Sequence, residues 1–221
     1  MTARLSQEIC PLCSSQPSQY IGFNDLLNRA YFKCPECALI FVPRQYHLSK
    51  TEEKKRYDQH NNDPNDPRYR HFLSKLTDPL KAYLEPAWQG LDYGCGPAPT
   101  IASLLEQEKV CVFNYDPYYY PHQALLGREY NFITCTEVAE HFSCPKEEFL
   151  KLNRLLKDTT SVLGVMTEIW QEEQAFEQWW YQKDPSHISF YQEKTFKWLS
   201  HWLTWDYQRV HQNVFLFHKK I

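Results

Sequence analysis

The sequence predicts an α/β fold of the doubly wound type with a small cysteine-rich module at its N-terminal end. Two observations indicate the α/β part: a strand that enters a glycine turn and a helix over residues 89–105, and a following β-rich run that ends at Asp116. A third observation, two C-x2-C pairs between Cys10 and Cys37, indicates the N-terminal module. The 221 residues suffice for one domain plus this appendage.

The glycine turn at residues 91–96 reads Leu-Asp-Tyr-Gly-Cys-Gly and is the most informative segment of the chain. Gly94 and Gly96 lack a Cβ atom, so the backbone can bend sharply there and approach a ligand closely. Asp92 lies two residues before Gly94, where its carboxylate can reach a bound cation or amine. A strand, a glycine turn and a helix in succession form the nucleotide-binding unit of doubly wound folds.

The acidic residue Asp116 closes the second strand, 20 positions after Gly96. An acidic residue at about this distance binds the ribose diol of a nucleotide. A dinucleotide-binding turn also needs a third glycine, whereas this chain has Pro99 at that position. The pattern therefore counts against NAD and FAD.

Four ordered motifs resemble those of class I S-adenosylmethionine-dependent methyltransferases. They are the glycine turn at 91–96, Asn114-Tyr115-Asp116-Pro117, the segment 132–142 with Glu137-Val138-Ala139-Glu140-His141, and Asp184-Pro185-Ser186-His187. The resemblance covers residues 90–191 and implies a Rossmann-like, mostly parallel sheet. Because only residues 117–131 separate the second and third of these motifs, we expect the family's third strand to be reduced or absent. The segments 205–209 and 214–218 predict an antiparallel C-terminal hairpin.

The resemblance implies S-adenosylmethionine as the cofactor, bound at the carboxyl ends of the strands. Asp92 and the backbone of the glycine turn would hold its methionine end, and Asp116 would bind its ribose hydroxyls. The residues expected to bind the cofactor are Asp92, Tyr93, Gly94, Cys95, Gly96, Asp116, Pro117, Thr136 and Glu137.

Two histidines are candidates for the catalytic base, because an acceptor hydroxyl or acidic carbon must lose a proton during methyl transfer. Histidine suits this role because its unperturbed pKa is about 6.5. His141 follows Glu140, which could orient it, and His187 lies in a loop after the fifth strand and its helix. We expect the catalytic residues to be among His187, His141 and Glu140, with His187 favoured to contact the substrate; a structural role stays open for each histidine.

The N-terminal module contains the pairs Cys10-Pro11-Leu12-Cys13 and Cys34-Pro35-Glu36-Cys37. Two such pairs about 20 residues apart are typical of a tetrahedral structural zinc site. Short β-rich runs lie between and after the pairs, so we predict a zinc ribbon with Cys10, Cys13, Cys34 and Cys37 as ligands. A module this short cannot bury a sufficient core alone, so the metal would supply folding energy. Two disulfides are the alternative, and they fit poorly without a secretion signal.

The chain divides into three predicted parts. Residues 1–45 form the ribbon-like module, 46–86 a linker with cofactor-covering helices, and 87–221 the methyltransferase domain. In the middle part, Asp66-Pro67 and Asp78-Pro79 each predict the start of a helix, and His60 and Asn61 are candidates to face the cofactor. In the third part, residues 171–182 predict a further helix.

Charge and hydropathy restrict the classes of partner. The net charge of −3 gives no sign of a strongly bound nucleic acid or membrane surface. No run approaches the ~18 apolar residues of a membrane span, and the N-terminus lacks a long apolar stretch. We therefore expect a cytoplasmic protein; its oligomeric state is left open.

Three functions stay open at this point. A methyltransferase acting on a small molecule is favoured by the near-neutral charge and the aromatic-rich C-terminal third. An RNA or protein methyltransferase could instead dock through the ribbon, although five basic and three acidic residues over 1–50 give no clear basic face. A non-catalytic zinc-containing binding module is the third, and the intact glycine turn and Asp116 argue against it.

Overall fold

The computed structural model describes residues 8–59 and 62–220, which form two sheets with helices packed around them. His60 and Asn61 lie outside the described residues. The strands are β1 (Gln19–Asn24), β2 (Arg29–Lys33), β3 (Ile40–Phe41), β4 (Gln89–Tyr93), β5 (Cys111–Tyr115), β6 (Phe132–Thr136), β7 (Val162–Met166), β8 (Ser189–Phe190), β9 (Trp205–His211) and β10 (Val214–Lys219). The helices are α1 (Lys50–Tyr57), α2 (Pro67–Lys81), α3 (Ile101–Leu104), α4 (Pro145–Leu155), α5 (Glu173–Phe176) and α6 (Glu193–Trp202).

The larger sheet confirms the predicted Rossmann-like fold. Its strand order is β5-β4-β6-β7-β10-β9, with the first four strands parallel and the last two antiparallel. The third strand of the family is absent, as expected, because residues 117–131 hold only the short 3-10 segment Gln123–Gly127 and the isolated bridge between Asp116 and Tyr120. Among the described residues, no helix is long and apolar enough to cross a membrane.

Glycines at two positions allow close packing on the larger sheet. A Cβ atom on Gly90 of β4 would lie 2.2 Å from the ring of Phe132 on β6, so only glycine fits beside this fully buried ring. A Cβ atom on Gly164 of β7 would lie 3.2 Å from Leu76 of α2. The two glycines therefore leave room for the Phe132 ring within the sheet and for Leu76 of the helix that covers it.

Helix α2 confirms one predicted start and corrects the other. The Asp66 carboxylate accepts a hydrogen bond from the Arg68 backbone N–H and caps the helix, which begins at Pro67. Asp78-Pro79 does not start a second helix, because α2 continues to Lys81 with Pro79 in its last turn. Leu73, Leu76, Thr77 and Leu80 form one continuous buried face. Burial of this face outweighs the one backbone hydrogen bond that a proline removes.

The predicted helix over residues 171–182 is wrong. The structure has only the four residues of α5, followed by a 3-10 segment at Trp180–Lys183. The Tyr181 carbonyl is hydrogen-bonded to the His187 ring, and the Gln182 carbonyl accepts from Arg29. A helix that ended at residue 182 would leave these two carbonyl groups without intrahelical partners, whereas tertiary contacts satisfy both of them here.

The smaller sheet joins the N-terminal module to the rest of the chain. Its order is β1-β2-β3-β8, and β8 comes from the segment that follows His187. Ile40 pairs with Phe190 and Phe41 with Ser189. The predicted boundary at residue 45 is thus crossed by a shared sheet, and the three-part division stays an interpretation of the sequence.

Arg29 fixes this junction. Its side chain is 1 % exposed and donates hydrogen bonds to the carbonyl oxygens of Gln182, Asp184 and Pro185 at 2.6, 3.0 and 3.0 Å. A buried guanidinium needs such partners, because an unpaired buried charge is strongly destabilising. The ribbon therefore holds the segment that leads into His187.

Candidate active site at the carboxyl edge of the parallel strands

The glycine turn after β4 adopts the backbone that its sequence predicts. Gly94 and Gly96 have φ angles of +79° and +64°, a region that favours glycine. The backbone N–H groups of Gly94 and Cys95 both donate to the Tyr115 carbonyl, which ties the turn to the end of β5. A Cβ atom on Gly96 would meet nothing within 4 Å, so the space beside this residue is open to a ligand.

Asp116 is brought to the glycine turn as predicted. Its Oδ2 atom accepts from the Gly96 N–H at 3.1 Å, and its Oδ1 accepts from the N–H groups of Tyr118 and Tyr119 at 2.8 and 3.1 Å. A carboxylate oxygen has two lone pairs, so Oδ2 can accept one further hydrogen bond. Asp116 both anchors the turn and retains an acceptor position for a ribose hydroxyl.

Asp92 is 3 % exposed at the end of β4. Its Oδ1 atom accepts from the Thr134 hydroxyl at 2.8 Å, a partner on β6 that the sequence analysis missed. Burial, opposed by this hydrogen bond and assisted by the nearby Asp116 charge, raises the pKa of Asp92 to about 7. A cationic ligand group beside Asp92 would favour its charged form.

Asp92 is expected to make stability depend on pH. Because folding raises its pKa from about 4, its stabilising contribution is present below pH 4 and is lost as the pH rises through 7, by up to about 4 kcal/mol. Asp92→Asn keeps the Thr134 hydrogen bond and removes the charge. We expect its urea unfolding free energy to exceed that of the wild type at pH 8, with the difference shrinking toward pH 5.

The control for this measurement is Asp78→Asn, whose side chain is 62 % exposed. If the unfolding free energy of Asp92→Asn does not gain on that of the wild type between pH 5 and pH 8, the proposed cost of burying the charged Asp92 carboxylate is contradicted.

The end of β6 carries polar atoms without partners. Among the described residues, the Thr136 hydroxyl and Glu137 Oε1 are buried and accept or donate no hydrogen bond. Burial and the nearby Glu140 carboxylate raise the pKa of Glu137 well above its usual range. Buried polar atoms without a partner are rare in folded proteins and cost about 1–3 kcal/mol each. Their presence beside the open glycine turn fits a polar cofactor at the predicted position.

The side chains of Glu140, His141 and His187 lie together, but Glu140 does not make the predicted orienting contact with His141. Nδ1 of His141 lies 3.0 Å from the Ser186 carbonyl oxygen, whereas Nε2 lies 3.9 Å from Glu140 Oε1. Ser186, and not Glu140, therefore orients the ring by a hydrogen bond. Burial lowers the pKa of His187 to about 4, so its imidazole is neutral near pH 7.

Helix α1 covers this group and was missed in the sequence analysis. Ser49 and Glu52 form a capping box at its start, a signal that could have located it. Its last residue, Tyr57, places its ring 5.1 Å from that of His141. Arg56 of the same helix binds the Asp184 carboxylate at 2.7 Å, which ties α1 to the segment that leads into His187.

The four predicted zinc ligands form a second, separate cluster. Sγ of Cys10 lies 3.6 Å from that of Cys37, and Sγ of Cys13 lies 3.3 Å from that of Cys34. All four sulfur atoms lie within 4.8 Å of one another. A tetrahedral zinc ion with Zn–S bonds of about 2.3 Å separates its sulfur ligands by about 3.8 Å. The cysteine cluster therefore fits a zinc ion, and its sulfurs are too far apart for disulfide bonds of about 2.05 Å.

A surface cleft of about 680 Å³ lies away from both clusters. It is lined by residues at the opposite edge of the larger sheet, among them Trp88, Asn131 and Asp158. None of the residues predicted to bind the cofactor lines this cleft. The chemistry of the chain is concentrated at the carboxyl edge, where ligands of open α/β sheets bind.

Comparison with known proteins identifies the family. The profile of a family described as a methyltransferase domain matches residues 65–206. The chain belongs to this methyltransferase family. It is a class I S-adenosylmethionine-dependent methyltransferase, because the family match, the motifs and the sheet order agree. No curated protein matches the chain.

The chain is similar to several solved structures at low sequence identity. The PH0226 protein from Pyrococcus horikoshii is 14% identical, with a TM-score of 0.52, over 76% of this chain and 99% of that chain. An O-methyltransferase family protein from Burkholderia thailandensis is 11% identical, with a TM-score of 0.49, over 76% and 62% of the two chains. The YcgJ protein from Bacillus subtilis is 16% identical, with a TM-score of 0.46, over 62% and 70%.

Proposed function

We propose that this methyltransferase modifies a small molecule and that a zinc-loaded ribbon supports its active site. The proposal rests on one observation: the basic side chains in the middle of the ribbon are already bound to other groups of the chain. Arg29 is buried on backbone carbonyl groups, and Lys33 binds the Glu173 carboxylate. A phosphate-binding face needs clustered, free basic side chains. These contacts favour a small acceptor over docking of RNA through the ribbon.

The surroundings of His187 support a small, flat acceptor. The Tyr181 ring packs on the His187 ring with their centroids 4.2 Å apart. Trp179 and Trp180 flank Tyr181 at 5.1 and 5.2 Å, and Trp180 is 64% exposed. Aromatic surface at the rim of a polar site can pack against an apolar ring while leaving one edge hydrogen-bonded.

S-adenosylmethionine, when bound, supplies a methyl group activated by its positive sulfur. The chain's own residues would hold the cofactor through Asp92, the Gly96 backbone and Asp116, with Thr136 and Glu137 near its reactive end. The candidate bases His141 and His187 each donate through Nδ1 to a carbonyl, which leaves Nε2 to accept a proton. Orientation of the acceptor against the methyl group is the main contribution that the protein can make.

The ribbon's role follows from where it is attached. Zinc bound by Cys10, Cys13, Cys34 and Cys37 would fix the turn between β2 and β3. Strand β3 pairs with β8, and Arg29 at the start of β2 holds the carbonyl groups just before His187. We infer that the ribbon positions the His187 segment against the end of β6.

Methyl labelling tests the class of acceptor. The purified enzyme would be given methyl-labelled S-adenosylmethionine and a cell extract separated into metabolite, RNA and protein fractions. We expect label in the metabolite fraction, and none with Asp116→Ala. Label that enters RNA or protein and is released by nuclease or protease would favour the macromolecular alternative instead.

A further inference from the structure

Three side chains that can bind a metal meet beside the end of β6, and they belong to Glu140, His141 and His187. Their ligand atoms lie within 4.8 Å of one another. Glu140 is fully buried and His187 is 8 % exposed. Glu140 and His141 belong to the 3-10 turn Ala139–His141, whereas His187 precedes β8, so the tertiary fold assembles the group.

Each of the two imidazole rings is held through Nδ1. Nδ1 of His141 lies 3.0 Å from the Ser186 carbonyl oxygen, and Nδ1 of His187 lies 2.8 Å from the Tyr181 carbonyl oxygen. A carbonyl oxygen only accepts hydrogen bonds, so each Nδ1 carries the proton and Nε2 keeps its lone pair. Metal-binding histidines are typically oriented by such a partner on the other ring nitrogen.

The Glu140 carboxylate is only half satisfied. Its Oε2 atom accepts from the Thr167 hydroxyl at 2.8 Å. Its Oε1 atom is buried and has no hydrogen-bond partner among the described residues, with Nε2 of His141 lying 3.9 Å away. A buried carboxylate is costly unless it is paired or coordinates a metal. Oε1 of Glu140 therefore lacks the positively charged partner that a buried carboxylate needs.

Glu137 adds a second buried carboxylate beside this group. Its Oε2 atom accepts from the Tyr181 hydroxyl at 3.2 Å, and its Oε1 atom is also unpartnered within residues 8–59 and 62–220. In the same part of the chain, no lysine or arginine forms a salt bridge with Glu137 or Glu140. A cation bound beside these two carboxyl groups would favour their charged forms and supply the missing positive partner.

We propose that Glu140 Oε1, His141 Nε2 and His187 Nε2 bind a divalent first-row cation such as Mn²⁺, Co²⁺ or Zn²⁺. Two imidazoles and one carboxylate suit these cations and leave further coordination positions open. The site is separate from the cysteine cluster and does not depend on the identity of the methyl acceptor. Because a bound cation would occupy both Nε2 lone pairs, the role of the two histidines as proton acceptors applies to the chain without the cation.

Equilibrium dialysis of the zinc-loaded full chain tests the site. The chain would be dialysed against micromolar Mn²⁺, Co²⁺ or Zn²⁺ in turn, and bound metal would be counted by elemental mass spectrometry. We expect the wild type to hold about one ion per chain more than Glu140→Gln or His187→Ala, with affinity at this site reduced at least about 100-fold in both variants.

The variants are chosen so that a folding defect does not imitate loss of the ion. Gln at position 140 has nearly the same volume as Glu and can still accept from Thr167, while its amide N–H can donate to a free imidazole Nε2. Urea unfolding midpoints of all variants would be compared with the wild type. The control is His201→Ala, whose exposed ring is hydrogen-bonded to the Lys197 carbonyl of its own helix, and which should retain the extra ion.

Two outcomes would overturn the proposal. One is a wild type that holds no more of any of the three cations than the folded Glu140→Gln chain. The other is an extra ion that stays bound in both site variants, which places it elsewhere. Since bound metal and not methyl transfer is measured, failure here is distinguishable from failure of the proposed function.

Discussion

Cys34→Ser is expected to remove about one zinc ion per chain and to unfold the ribbon. Cys34 is fully buried, and its Sγ atom lies 3.3 Å from that of Cys13. Its carbonyl accepts from the Ala38 N–H and its N–H donates to the Leu39 carbonyl, so the residue also shapes the turn that holds the second cysteine pair. A structural zinc site supplies folding energy directly, and its loss should lower the free energy of unfolding on the order of 5 kcal/mol.

Elemental analysis and urea unfolding of the purified chain measure both effects. Cys111→Ser is the matched control, because Cys111 is exposed on β5 and far from the cysteine cluster in the sequence. It should leave zinc content and stability unchanged. A Cys34→Ser chain that keeps its full zinc content would show that the four cysteines are not the ligands.

Chelation provides a second route to the same result. Strand β3 pairs with β8, so removal of the metal should also loosen the segment that carries His187. Hydrogen exchange at Ser189 and Phe190 is expected to speed up in the metal-free chain, while exchange in β4 and β5 should change little. Unchanged exchange in β8 would contradict a supporting role for the ribbon.

Asp116→Ala is expected to weaken binding of S-adenosylhomocysteine at least about 100-fold, or about 3 kcal/mol. The substitution removes two contributions together. The ribose hydroxyl of the ligand would lose its carboxylate partner, and the Gly96 N–H would lose the Oδ2 acceptor that fixes the glycine turn. Hydrogen bonds to a charged group contribute about 1.5–3 kcal/mol each, so the combined loss is large.

Calorimetric titration with S-adenosylhomocysteine measures this loss. Asp206→Ala is the matched control, because its side chain is 72% exposed at the start of β9, on the opposite edge of the sheet. Asp116→Asn keeps an amide oxygen that accepts from Tyr118 and Tyr119 but puts an NH2 group in place of Oδ2, so it tests loss of the Gly96 acceptor while the loop after β5 stays anchored. A wild type that binds no S-adenosylhomocysteine would restore the non-catalytic module as the leading alternative.

Prediction from sequence succeeded where the determining contacts are local. The glycine turn was predictable because a left-handed backbone at Gly94 and Gly96 is a property of those residues themselves. The Asp66 cap was predictable because its partner lies two residues away, and the cysteine cluster because each C-x2-C pair is a local pattern typical of a zinc site. Asp116 was predictable because the parallel βαβ unit returns the second strand beside the first.

Prediction failed where distant residues decide the local structure. Leu73, Leu76 and Leu80 have the spacing of one helix face, but Pro79 favours a break, and only the packing of that face shows that α2 continues past the proline. The segment 171–182 is not a regular helix, and its last carbonyl group, that of Gln182, accepts from Arg29, which lies 153 positions away. Such contacts have no signal in a short window of sequence, because they depend on how complete elements pack.

The sequence by itself determined the family motifs, the parallel sheet with its missing strand, and the four cysteines of the ribbon. Only the tertiary structure decided that the ribbon shares a sheet with β8 and that Asp92 is buried against Thr134. It also decided that Glu140, His141 and His187 meet with their Nδ1 atoms bound to carbonyl groups. The physical reason is range: backbone stereochemistry and ligand spacing act between neighbours, whereas burial and charge depend on everything that folding brings together.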